Sequence, residues 1–492
     1  MFDIIDMFSS QVALAPDRAA VIQGETNISY ASLAVLSRKI ASAALAAVPN
    51  GNPKVLIAVS QSPQAYAAMF GTLIAGGTFC PIDVEGPEQR NVHIVRSFMP
   101  DILLFDSSCR KEILEESSAA SHRIDANEIA ATELTTSVHE DSEVAYVVFT
   151  SGSSGQPKGV KAGRRGVSNV VHTEQQYYQV QSGDRWSQYS NIGYDMGVMD
   201  VFQALCHGAT LIPIARPKER MMPAHAIKDR QITIWQSVPS VLDLMIQAHQ
   251  VTSELLGSLR LMIFCGEPLL PAQLNTLFDA CPELRVFNAY GATETTGFNT
   301  INQLTKDNFQ DSCATNVAIG SEVQGWEVEL QGDENPNGGE IVIIGDNLSL
   351  GYWQDEEGTR AAFKQQRRGG EVKKAYHTGD YGRRIGGKLY CQGRLDRQVK
   401  IRGERIELAE VDDLLRQSGY SAAYSIVHNC EVHSFVECAS YVDEAQVRTR
   451  LVKELPLHGV PKVIRTLTSL PKNANGKVDR QKLNRLAAGG AE

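Results

Sequence analysis

The stretch VAYVVFTSGSSGQPKGV, residues 144–160, joins an apolar segment directly to a glycine- and serine-rich one. Residues 144–150 are mainly β-branched, aliphatic and aromatic, which is typical of a buried strand. Three serines, three glycines and one lysine follow between Ser151 and Gly159. Glycine amides, hydroxyls and lysine bind polyphosphate, so the stretch predicts a phosphate-binding loop after a strand. A flexible surface loop is the alternative, and the pattern Gly-x4-Gly-Lys-Ser/Thr of P-loop proteins is absent.

Strand and helix patterns alternate on both sides of this stretch. Apolar runs predict strands at residues 55–59, 78–82, 101–106, 232–235, 260–265 and 285–289, and residues 65–75 predict a helix. Short apolar strands separated by helices indicate an α/β fold with mainly parallel sheets. After about residue 320, strands joined by Gly- and Asn-rich turns are predicted at residues 326–330, 340–344 and 388–392. This change of pattern predicts a small β-rich subdomain.

The last part of the chain predicts a separate α+β domain. Its strands are expected at residues 398–401 and 422–428, and its helices at residues 408–417 and 443–454. We therefore expect a large N-terminal domain, residues 1–395, in which the β-rich subdomain covers about residues 320–395. A small mobile C-terminal domain, residues 396–492, is expected to follow it.

Composition restricts the possible classes of function. The chain has 492 residues, of which 43% are apolar and 21% charged, and its formal net charge is −10. These values are typical of globular proteins, and the acidic balance argues against a nucleic-acid-binding protein. Nine scattered cysteines without Cys-x-x-Cys spacing indicate buried thiols in a reducing compartment. Because no signal peptide or long apolar span is evident, we expect a cytoplasmic protein without membrane contact.

Five motifs carry a resemblance to a known family. They are TSGSSGQPKG at residues 150–159, NAYGATETT at 288–296, YHTGD at 376–380, GRLDRQVKIRG at 393–403 and LPKNANGKVDR at 470–480. In this order they resemble the motifs of the adenylate-forming (ANL) superfamily, which includes acyl-CoA synthetases, luciferases and the adenylation domains of nonribosomal peptide synthesis. Taken singly, the second, third and fifth motifs indicate only turns. The resemblance covers about residues 10–485, and Ala292 stands where the family usually has proline.

The resemblance implies a nucleotide site. Tyr290 would stack on adenine, Thr293 would approach the α-phosphate, and Asp380 would accept hydrogen bonds from both ribose hydroxyls. The implied nucleotide-binding positions are Thr150, Ser151, Gly152, Ser153, Ser154, Gly155, Lys158, Gly266, Asn288, Ala289, Tyr290, Gly291, Thr293, Asp380, Arg394 and Lys477. The implied catalytic positions are Lys477, Thr150 and Glu294. Glu294 is also the implied ligand of Mg²⁺, which usually takes one or two protein carboxylates, so ATP and Mg²⁺ are the expected cofactors.

The resemblance also implies a domain movement. Asp396 is the implied hinge between the two domains. Lys477 would bridge the substrate carboxylate and the α-phosphate, a role suited to a mobile point charge. The loop around Gly403 would face the pantetheine arm of the acceptor. One domain in two orientations would then serve two successive half-reactions.

The segment YDMGVMD, residues 194–200, points to an amino acid substrate. In amino-acid-activating members of the superfamily, an Asp at the position of Asp195 pairs with the α-ammonium group, since a buried carboxylate needs a cationic partner. A helix N-cap is the alternative role. The other implied pocket positions are Met196, Met199, Ser237, Ile263, Cys265, Ala289, Gly297 and Phe298. Most are apolar, which predicts a small neutral side chain, such as that of alanine, serine or glycine. Asp195 and Met199, together with Cys265 in the sequence FCGE at residues 264–267, locally resemble D-alanine–carrier protein ligases.

The implied reaction is ATP-dependent activation of a small amino acid as aminoacyl-AMP, with release of pyrophosphate. Because only 15 residues follow Lys477, the aminoacyl group is expected to pass to the phosphopantetheine thiol of a separate carrier protein or to CoA. An acyl- or aryl-CoA synthetase of the same fold is the main alternative, and a non-catalytic scaffold and a kinase are others. The basic cluster of Lys400, Arg402 and Arg405 could dock an acidic carrier protein, or it could be a solvated face.

Overall fold

The structure is a computed structural model that describes residues 3–49, 51–117, 122–129, 142–151, 157–332, 337–368, 370–438, 441–472 and 478–489. The chain divides into two units. The large unit comprises Met1–Val84, Val95–Phe149 and Gly159–Gly393, and the small unit comprises Glu85–Ile94, Thr150–Lys158 and Arg394–Glu492. The predicted domains, residues 1–395 and 396–492, stay a prediction.

The strands are numbered in chain order. They are β1 (Ala19–Gln23), β2 (Thr26–Ser29), β3 (Lys54–Ala58), β4 (Thr78–Pro81), β5 (Ile102–Phe105), β6 (His122–Asp125), β7 (Val144–Thr150), β8 (Lys158–Gly163), β9 (Arg185–Gln188), β10 (Thr210–Pro213), β11 (Ile234–Ser237), β12 (Leu261–Phe264), β13 (Arg285–Tyr290), β14 (Thr300–Leu304), β15 (Ser321–Glu322), β16 (Trp326–Gly332), β17 (Gly338–Gly345), β18 (Phe363–Arg368), β19 (Glu371–Ile385), β20 (Lys388–Arg394), β21 (Gln398–Ile401), β22 (Glu404–Glu407), β23 (Ala422–His428), β24 (Glu431–Glu437) and β25 (Val463–Leu467).

The α-helices are numbered in the same way. They are α1 (Ile4–Leu14), α2 (Tyr30–Ala47), α3 (Pro63–Ile74), α4 (Glu88–Phe98), α5 (Lys111–Glu116), α6 (Arg164–Tyr178), α7 (Asp195–Cys206), α8 (Pro217–Met221), α9 (Pro223–Arg230), α10 (Pro239–Gln247), α11 (Ser253–Leu256), α12 (Pro271–Ala280), α13 (Glu356–Ala362), α14 (Leu408–Gln417), α15 (Glu444–Glu454) and α16 (Arg480–Ala487).

Three sheets build the large unit. A nine-stranded sheet has the order β15-β14-β13-β12-β11-β9-β10-β1-β2, and a six-stranded sheet has the order β6-β5-β3-β4-β7-β8. The neighbours from β13 through β12, β11, β9 and β10 to β1 are all parallel, as are β6-β5-β3-β4-β7. A smaller antiparallel sheet combines β16, β17, β18, β19 and β20. The predicted α/β fold with a β-rich subdomain is therefore confirmed.

The parallel register of the nine-stranded sheet positions the candidate site. Ser237 pairs with Phe264, and Phe264 pairs with Asn288, so β11, β12 and β13 end at one edge of the sheet. The carboxyl ends of parallel strands are the usual place for ligands in open α/β sheets. The residues that follow these strand ends, including Cys265, therefore come together although they are distant in sequence.

Helix α3 shows why the core of the large unit is tightly packed. Ser62 caps the helix and Pro63 begins it, two features that favour a helix start. Ten of its twelve residues are buried. A Cβ atom on Gly71 would lie 2.6 Å from the carbonyl oxygen of Ser37 in α2, so the two helices approach closely.

Among the described residues, no helix is both long and apolar enough to cross a membrane.

The small unit contains the hairpin β21-β22 and the sheet β23-β24-β25. Arg397, which precedes β21, donates hydrogen bonds to the Asp412 carboxylate of α14 (2.6 Å) and to the carbonyl of Ser425 (2.9 Å). Its guanidinium also lies 3.8 Å from the ring centroid of Tyr424. One arginine thus fixes the start of the small unit's strands to its helix and sheet.

The turn that Thr378-Gly379-Asp380 indicates when taken by itself is not what the structure has. These residues lie within the long strand β19, where the pairing with β17 shifts register between Glu340 and Val342. Gly379 has a φ of +73° at this bulge, a conformation that glycine adopts without steric cost. The bulge sets the direction of the Asp380 side chain, because a bulged residue is displaced from the regular alternation of the strand.

Candidate active site

Tyr290 and Asp380 meet at the end of β13. The Tyr290 hydroxyl donates a hydrogen bond of 2.7 Å to Oδ2 of Asp380, which comes from the bulge of β19. Both side chains are buried. The hydroxyl of Thr378 accepts a 3.0 Å hydrogen bond from the Asp380 amide and donates to the carbonyl of Ile341, which holds the bulge in place. The structure therefore joins two residues that sequence motifs assigned separately to adenine and ribose.

The surroundings of the Tyr290 hydroxyl favour its protonated form. Burial, and then the neighbouring Asp380 charge, raises the pKa of the Tyr290 hydroxyl well above its ordinary value. Tyr290 therefore remains protonated near neutral pH and acts as the donor to Asp380. A carboxylate such as that of Asp380 can accept several hydrogen bonds, because each of its oxygens carries two lone pairs.

The backbone around Tyr290 is held on both sides. The side-chain amide of Asn288 donates to the carbonyls of Val317 (3.2 Å) and Ala318 (3.0 Å). A Cβ atom on Gly291 would lie 2.2 Å from the carbonyl oxygen of Gly297, so only glycine fits there without a shift. The motif 288–296 therefore requires Asn288 and its single glycine, Gly291, for local structure.

Glu294 lies in a short 3-10 turn, Thr293–Thr295, and only 1% of its surface is exposed. Its Oε1 accepts a 3.0 Å hydrogen bond from the hydroxyl of Tyr352. The turn is fixed by Thr295, whose hydroxyl bonds Asn299 at 2.6 Å. Tyr352 was not predicted as a site residue, although the sequence Leu350-Gly351-Tyr352 resembles a further family motif and offered a signal.

Asp195 is the first residue of α7 and is half-buried. Its Oδ1 accepts a 2.8 Å hydrogen bond from the amide of Met196. Tyr194 occupies the N-cap position of α7. The alternative role of Asp195 as the N-cap is therefore wrong. A carboxylate in the first turn is nevertheless stabilised by the helix dipole.

Most of the predicted pocket residues lie in one hydrophobic cluster. Its buried members include Met199, Ile263, Cys265 and Ala289, and Met196 and Phe298 pack against it. The sulfur atoms of Met196 and Cys265 are 3.7 Å apart. Gly266 follows with a φ of +86°, and a Cβ atom there would lie 3.3 Å from Val238. Ser237 is buried at the end of β11, and its hydroxyl accepts a 2.9 Å hydrogen bond from the Trp235 indole.

Glu174 is a buried carboxylate that the sequence analysis missed. It lies in α6, and its Oε1 accepts a 2.9 Å hydrogen bond from the amide of Phe298. Its Oε2 accepts from Gln203 (2.7 Å) and from the Tyr178 hydroxyl (3.3 Å). Burial raises the pKa of Glu174 to about 7, although these three donors act in the opposite direction. A single Glu in an amphipathic helix gives no sequence signal for this role.

The small unit holds other predicted positions. Thr150 ends β7 and Lys158 begins β8, and the Ser151 hydroxyl donates to the carbonyl of Arg405. The side chain of Arg394 donates to both Asp396 oxygens, at 2.8 and 2.7 Å. The predicted residues that lie outside the described part of the chain are Gly152, Ser153, Ser154, Gly155 and Lys477.

The Arg394–Asp396 ion pair joins the predicted nucleotide contact to the predicted hinge. Burial raises the pKa of Asp396, but hydrogen bonding and charge from Arg394 outweigh it, so the net shift is downward.

The basic cluster lies on the β21-β22 hairpin, where Lys400 pairs with Arg405 in register. Lys400 and Arg402 are exposed, and Arg405 is half-buried.

Comparison with known proteins places this geometry in a family. The sequence is 31% identical over 508 residues to gramicidin S synthase 2 of Aneurinibacillus migulanus, covering 98% of this chain and 11% of that protein. It is 27% identical over 502 residues to the D-alanine--D-alanyl carrier protein ligase of Bacillus velezensis, covering 98% of each. The chain therefore spans about one ninth of the length of the first relative.

A solved structure shares the fold. The Vibrio cholerae adenylation domain AlmE, determined with glycyl-adenosine-5'-phosphate, superposes with a TM-score of 0.84 at 22% identity and covers 99% of this chain and 98% of AlmE. The family described as "AMP-binding enzyme" matches residues 8–353, which include Tyr290, Glu294 and Asp195. On these findings, the chain belongs to the AMP-binding enzyme family.

Proposed function

We propose that the chain is an AMP-forming ligase that activates a small neutral amino acid. ATP and the amino acid would give aminoacyl-AMP and pyrophosphate, and the aminoacyl group would then pass to a carrier protein. The hydrogen bond between Tyr290 and Asp380 is the observation that carries the proposal. It sets an aromatic ring beside a carboxylate whose oxygens can each accept more than one hydrogen bond, which suits the adenine and ribose of one nucleotide.

Glu294 fits the role of a Mg²⁺ ligand. Its carboxylate is buried, and the Tyr352 hydroxyl bonded to Oε1 fixes its orientation. Among the described residues, no cluster of three or more metal-binding side chains occurs. A single carboxylate is compatible with Mg²⁺, which commonly completes its coordination with phosphate oxygens and water. When bound, the ion would neutralise negative charge on the phosphates.

Positioning and charge stabilisation account for the proposed chemistry. A substrate carboxylate oxygen attacks the α-phosphorus, the bond to the bridging oxygen breaks, and pyrophosphate leaves with that electron pair. No covalent bond to the protein is formed, so no nucleophilic side chain is needed. Lys477 is assigned by its motif to offset the negative charge that builds at the α-phosphate. Thr150 is assigned with it as a catalytic residue.

Asp195 supports an amino acid as the substrate. A half-buried carboxylate at the start of α7 would attract a substrate ammonium group, and Met196 follows it directly in the chain. The apolar positions around Cys265 suit a short, uncharged side chain. The relative from Bacillus velezensis is named D-alanine--D-alanyl carrier protein ligase, which agrees with an alanine-like substrate for this chain. Discrimination of single methylene groups is worth about 1–3 kcal/mol, so close analogues should compete.

A carrier protein is the proposed acceptor. The same relative's name includes a carrier protein, and its length matches this chain. The chain as a whole carries a net charge of −10 and would repel an acidic carrier protein. Such a carrier would therefore need a local basic surface, and the exposed Lys400 and Arg402 offer one. Thioester formation would release AMP as the thiol attacks the carbonyl carbon of the mixed anhydride.

Trapping the activated acid tests this proposal. The full chain is incubated with ATP, Mg²⁺ and either small amino acids, fatty acids or aryl acids, and hydroxylamine converts each acyl-adenylate to a hydroxamate. We expect hydroxamates from small amino acids and AMP in equal amount. Lys477→Ala should lower the rate about 100-fold or more, as loss of a transition-state contact does, while the exposed Lys482→Ala should not. Hydroxamates from aryl or fatty acids alone would indicate a CoA synthetase instead.

A further inference from the structure

A buried network behind the proposed amino acid pocket has no assigned role. Glu174 is 2% exposed, and its two oxygens receive three hydrogen bonds from Phe298, Gln203 and Tyr178. The Phe298 donor is a backbone amide 124 residues away in sequence. It belongs to the segment of Gly297 and Phe298, which is part of the proposed pocket wall.

The same contact leaves no room for a side chain at Gly297. A Cβ atom there would lie 2.5 Å from Cγ1 of Val170 and 3.0 Å from Oε1 of Glu174. Gly297 also has a φ of +82°, a conformation unfavourable for other residues. The wall segment is therefore pressed against α6 by packing from Val170 and is held there by the Glu174 hydrogen bond.

We propose that Glu174 is a positioning residue that sets the size limit of the amino acid pocket, because it anchors the Gly297–Phe298 segment to α6. This inference rests on the proposed function. With the anchor, Phe298 keeps one position and the pocket admits only a short side chain. Without it, the Phe298 amide loses its acceptor, and the segment can move to accommodate a longer substrate.

The surroundings of Glu174 support a positioning role over a charge role. The three groups that donate hydrogen bonds to it are a backbone amide, a carboxamide and a phenol, none of which is a cation. Asp200 is also buried nearby, on α7, and burial raises its pKa well above the ordinary value. Both acids are almost completely buried, so the region excludes water and an unpaired amide there would be costly.

Two substitutions of similar size separate the hydrogen bond from the volume. Glu174→Gln keeps an oxygen that can accept from Phe298. Its new amide donor can be matched by rotation of Gln203, whose Oε1 has no hydrogen-bond partner in the described part of the chain. Glu174→Met fills a comparable volume but accepts no hydrogen bond from the Phe298 amide.

The test compares kcat/KM for alanine and leucine in ATP–pyrophosphate exchange. We expect Glu174→Met to lower the alanine-to-leucine ratio at least about tenfold, and Glu174→Gln to keep it within about threefold of the parent. The KM for ATP should stay unchanged in both. Val170→Ala loosens only the packing behind Gly297 and should also lower the alanine-to-leucine ratio. If Glu174→Met does not fold, this variant shows whether the Gly297–Phe298 segment limits substrate size.

Asp184 provides the control for general destabilisation. It is a buried carboxylate paired with Arg260 and directly precedes β9, so it lies at the amino-terminal ends of the parallel strands, opposite to the carboxyl ends that carry the proposed site. Asp184→Ala should lower the thermal midpoint without changing the alanine-to-leucine ratio. An unchanged ratio in Glu174→Met and Val170→Ala, or an equal change in Asp184→Ala, would overturn the inference. Absence of amino-acid-dependent exchange in the parent chain would instead refute the proposed function.

Discussion

The hydroxyl of Tyr290 lies 2.7 Å from the carboxylate of Asp380, a residue 90 positions later in the chain. Tyr290 ends a strand of the nine-stranded sheet, and Asp380 comes from the bulge in a strand of the five-stranded sheet. The nucleotide half of the proposed site is thus built where two sheets of the large unit meet. A change in either residue should affect both nucleotide binding and the junction of these sheets.

Removal of the Tyr290 hydroxyl should weaken nucleotide binding without removing the aromatic ring. Tyr290→Phe is expected to raise the KM for ATP about tenfold, because a hydrogen bond to a charged group contributes about 1.5–3 kcal/mol. Isothermal titration with ATP or AMP measures the same effect at equilibrium. Tyr441→Phe, at a tyrosine that is 93% exposed, is the matched control and should bind as the parent does.

A double-mutant cycle with Asp380→Asn isolates the pair. If the two residues act together, the effect of Tyr290→Phe should shrink in the Asp380→Asn background. Fully additive losses would show that the hydrogen bond makes no contribution to nucleotide affinity.

Loss of the charge on Asp195 should abolish the preference for amino acids. Asp195→Asn retains an oxygen that can accept from the Met196 amide, so the start of α7 is preserved. We expect amino-acid-dependent exchange to fall about 100-fold or more, because a substrate ammonium would lose its counter-charge, worth about 3 kcal/mol or more. The KM for ATP should not change.

Asp6→Asn is the control for this variant, since Asp6 also lies in the first turn of a helix, α1, but is exposed and away from the site. Full activity of Asp195→Asn with amino acids would show that Asp195 does not bind the substrate ammonium group. Its role would then be limited to stabilising the start of α7.

The Arg397–Asp412 ion pair should contribute strongly to the stability of the small unit. Asp412 is 1% exposed, so Arg397→Ala would leave a buried carboxylate without its cation, at a cost of about 3–5 kcal/mol. Amide hydrogen exchange should accelerate in peptides from α14 and β23. Arg416→Ala breaks an exposed pair with Asp413 on the same helix and should cost less than about 1 kcal/mol. Equal protection in the two variants would contradict this assignment.

The stability contributed at Glu174 should depend on pH with a defined sign. Burial raises its pKa to about 7, whereas an unfolded glutamate has a pKa of about 4.3. The folded protein therefore holds the proton more tightly, and stability falls as pH rises from about 4.3 to about 7. Glu174→Gln does not titrate, so its stability relative to the parent should increase across this range and level off above it.

The expected change is on the order of 4 kcal/mol, because the pKa difference is about 2.7 units and one pKa unit corresponds to about 1.4 kcal/mol. Thermal midpoints of the parent and Glu174→Gln between pH 4.5 and 8 measure it. Asp200, Tyr178 and Tyr146 face the same region and are present in both proteins, so their titration largely cancels in the difference. A difference that stays constant with pH would show that Glu174 does not titrate in this range.

Local sequence patterns predicted the regular elements well. The strand at residues 55–59 corresponds to β3, and the helix at 408–417 to α14, because apolar periodicity reflects the face that is buried. The bulge at Gly379 was missed, since a bulge depends on the partner strand β17 and not on the local pattern. Strands β24 and β25 were also missed, because they mix polar and apolar residues on a small sheet.

Site residues that lie in sequence motifs could be predicted. Site residues that are defined only by tertiary contacts could not. Tyr290, Glu294 and Asp380 each lie in a motif whose order along the chain indicated the family. Glu174 lies in no motif, and its partner Phe298 is reached only through the packing of α6. Tyr352 orients Glu294 through a contact between residues 58 positions apart, which no local pattern encodes.

Amino-acid-dependent ATP–pyrophosphate exchange by the full chain measures directly whether the protein activates a small neutral amino acid as aminoacyl-AMP. The panel contains both enantiomers of alanine and serine, together with glycine, leucine, a fatty acid and an aryl acid. We expect exchange with at least one small neutral amino acid, well above the rate without substrate and above the rate with leucine. Exchange that no amino acid supports, while an aryl or fatty acid does, would contradict it.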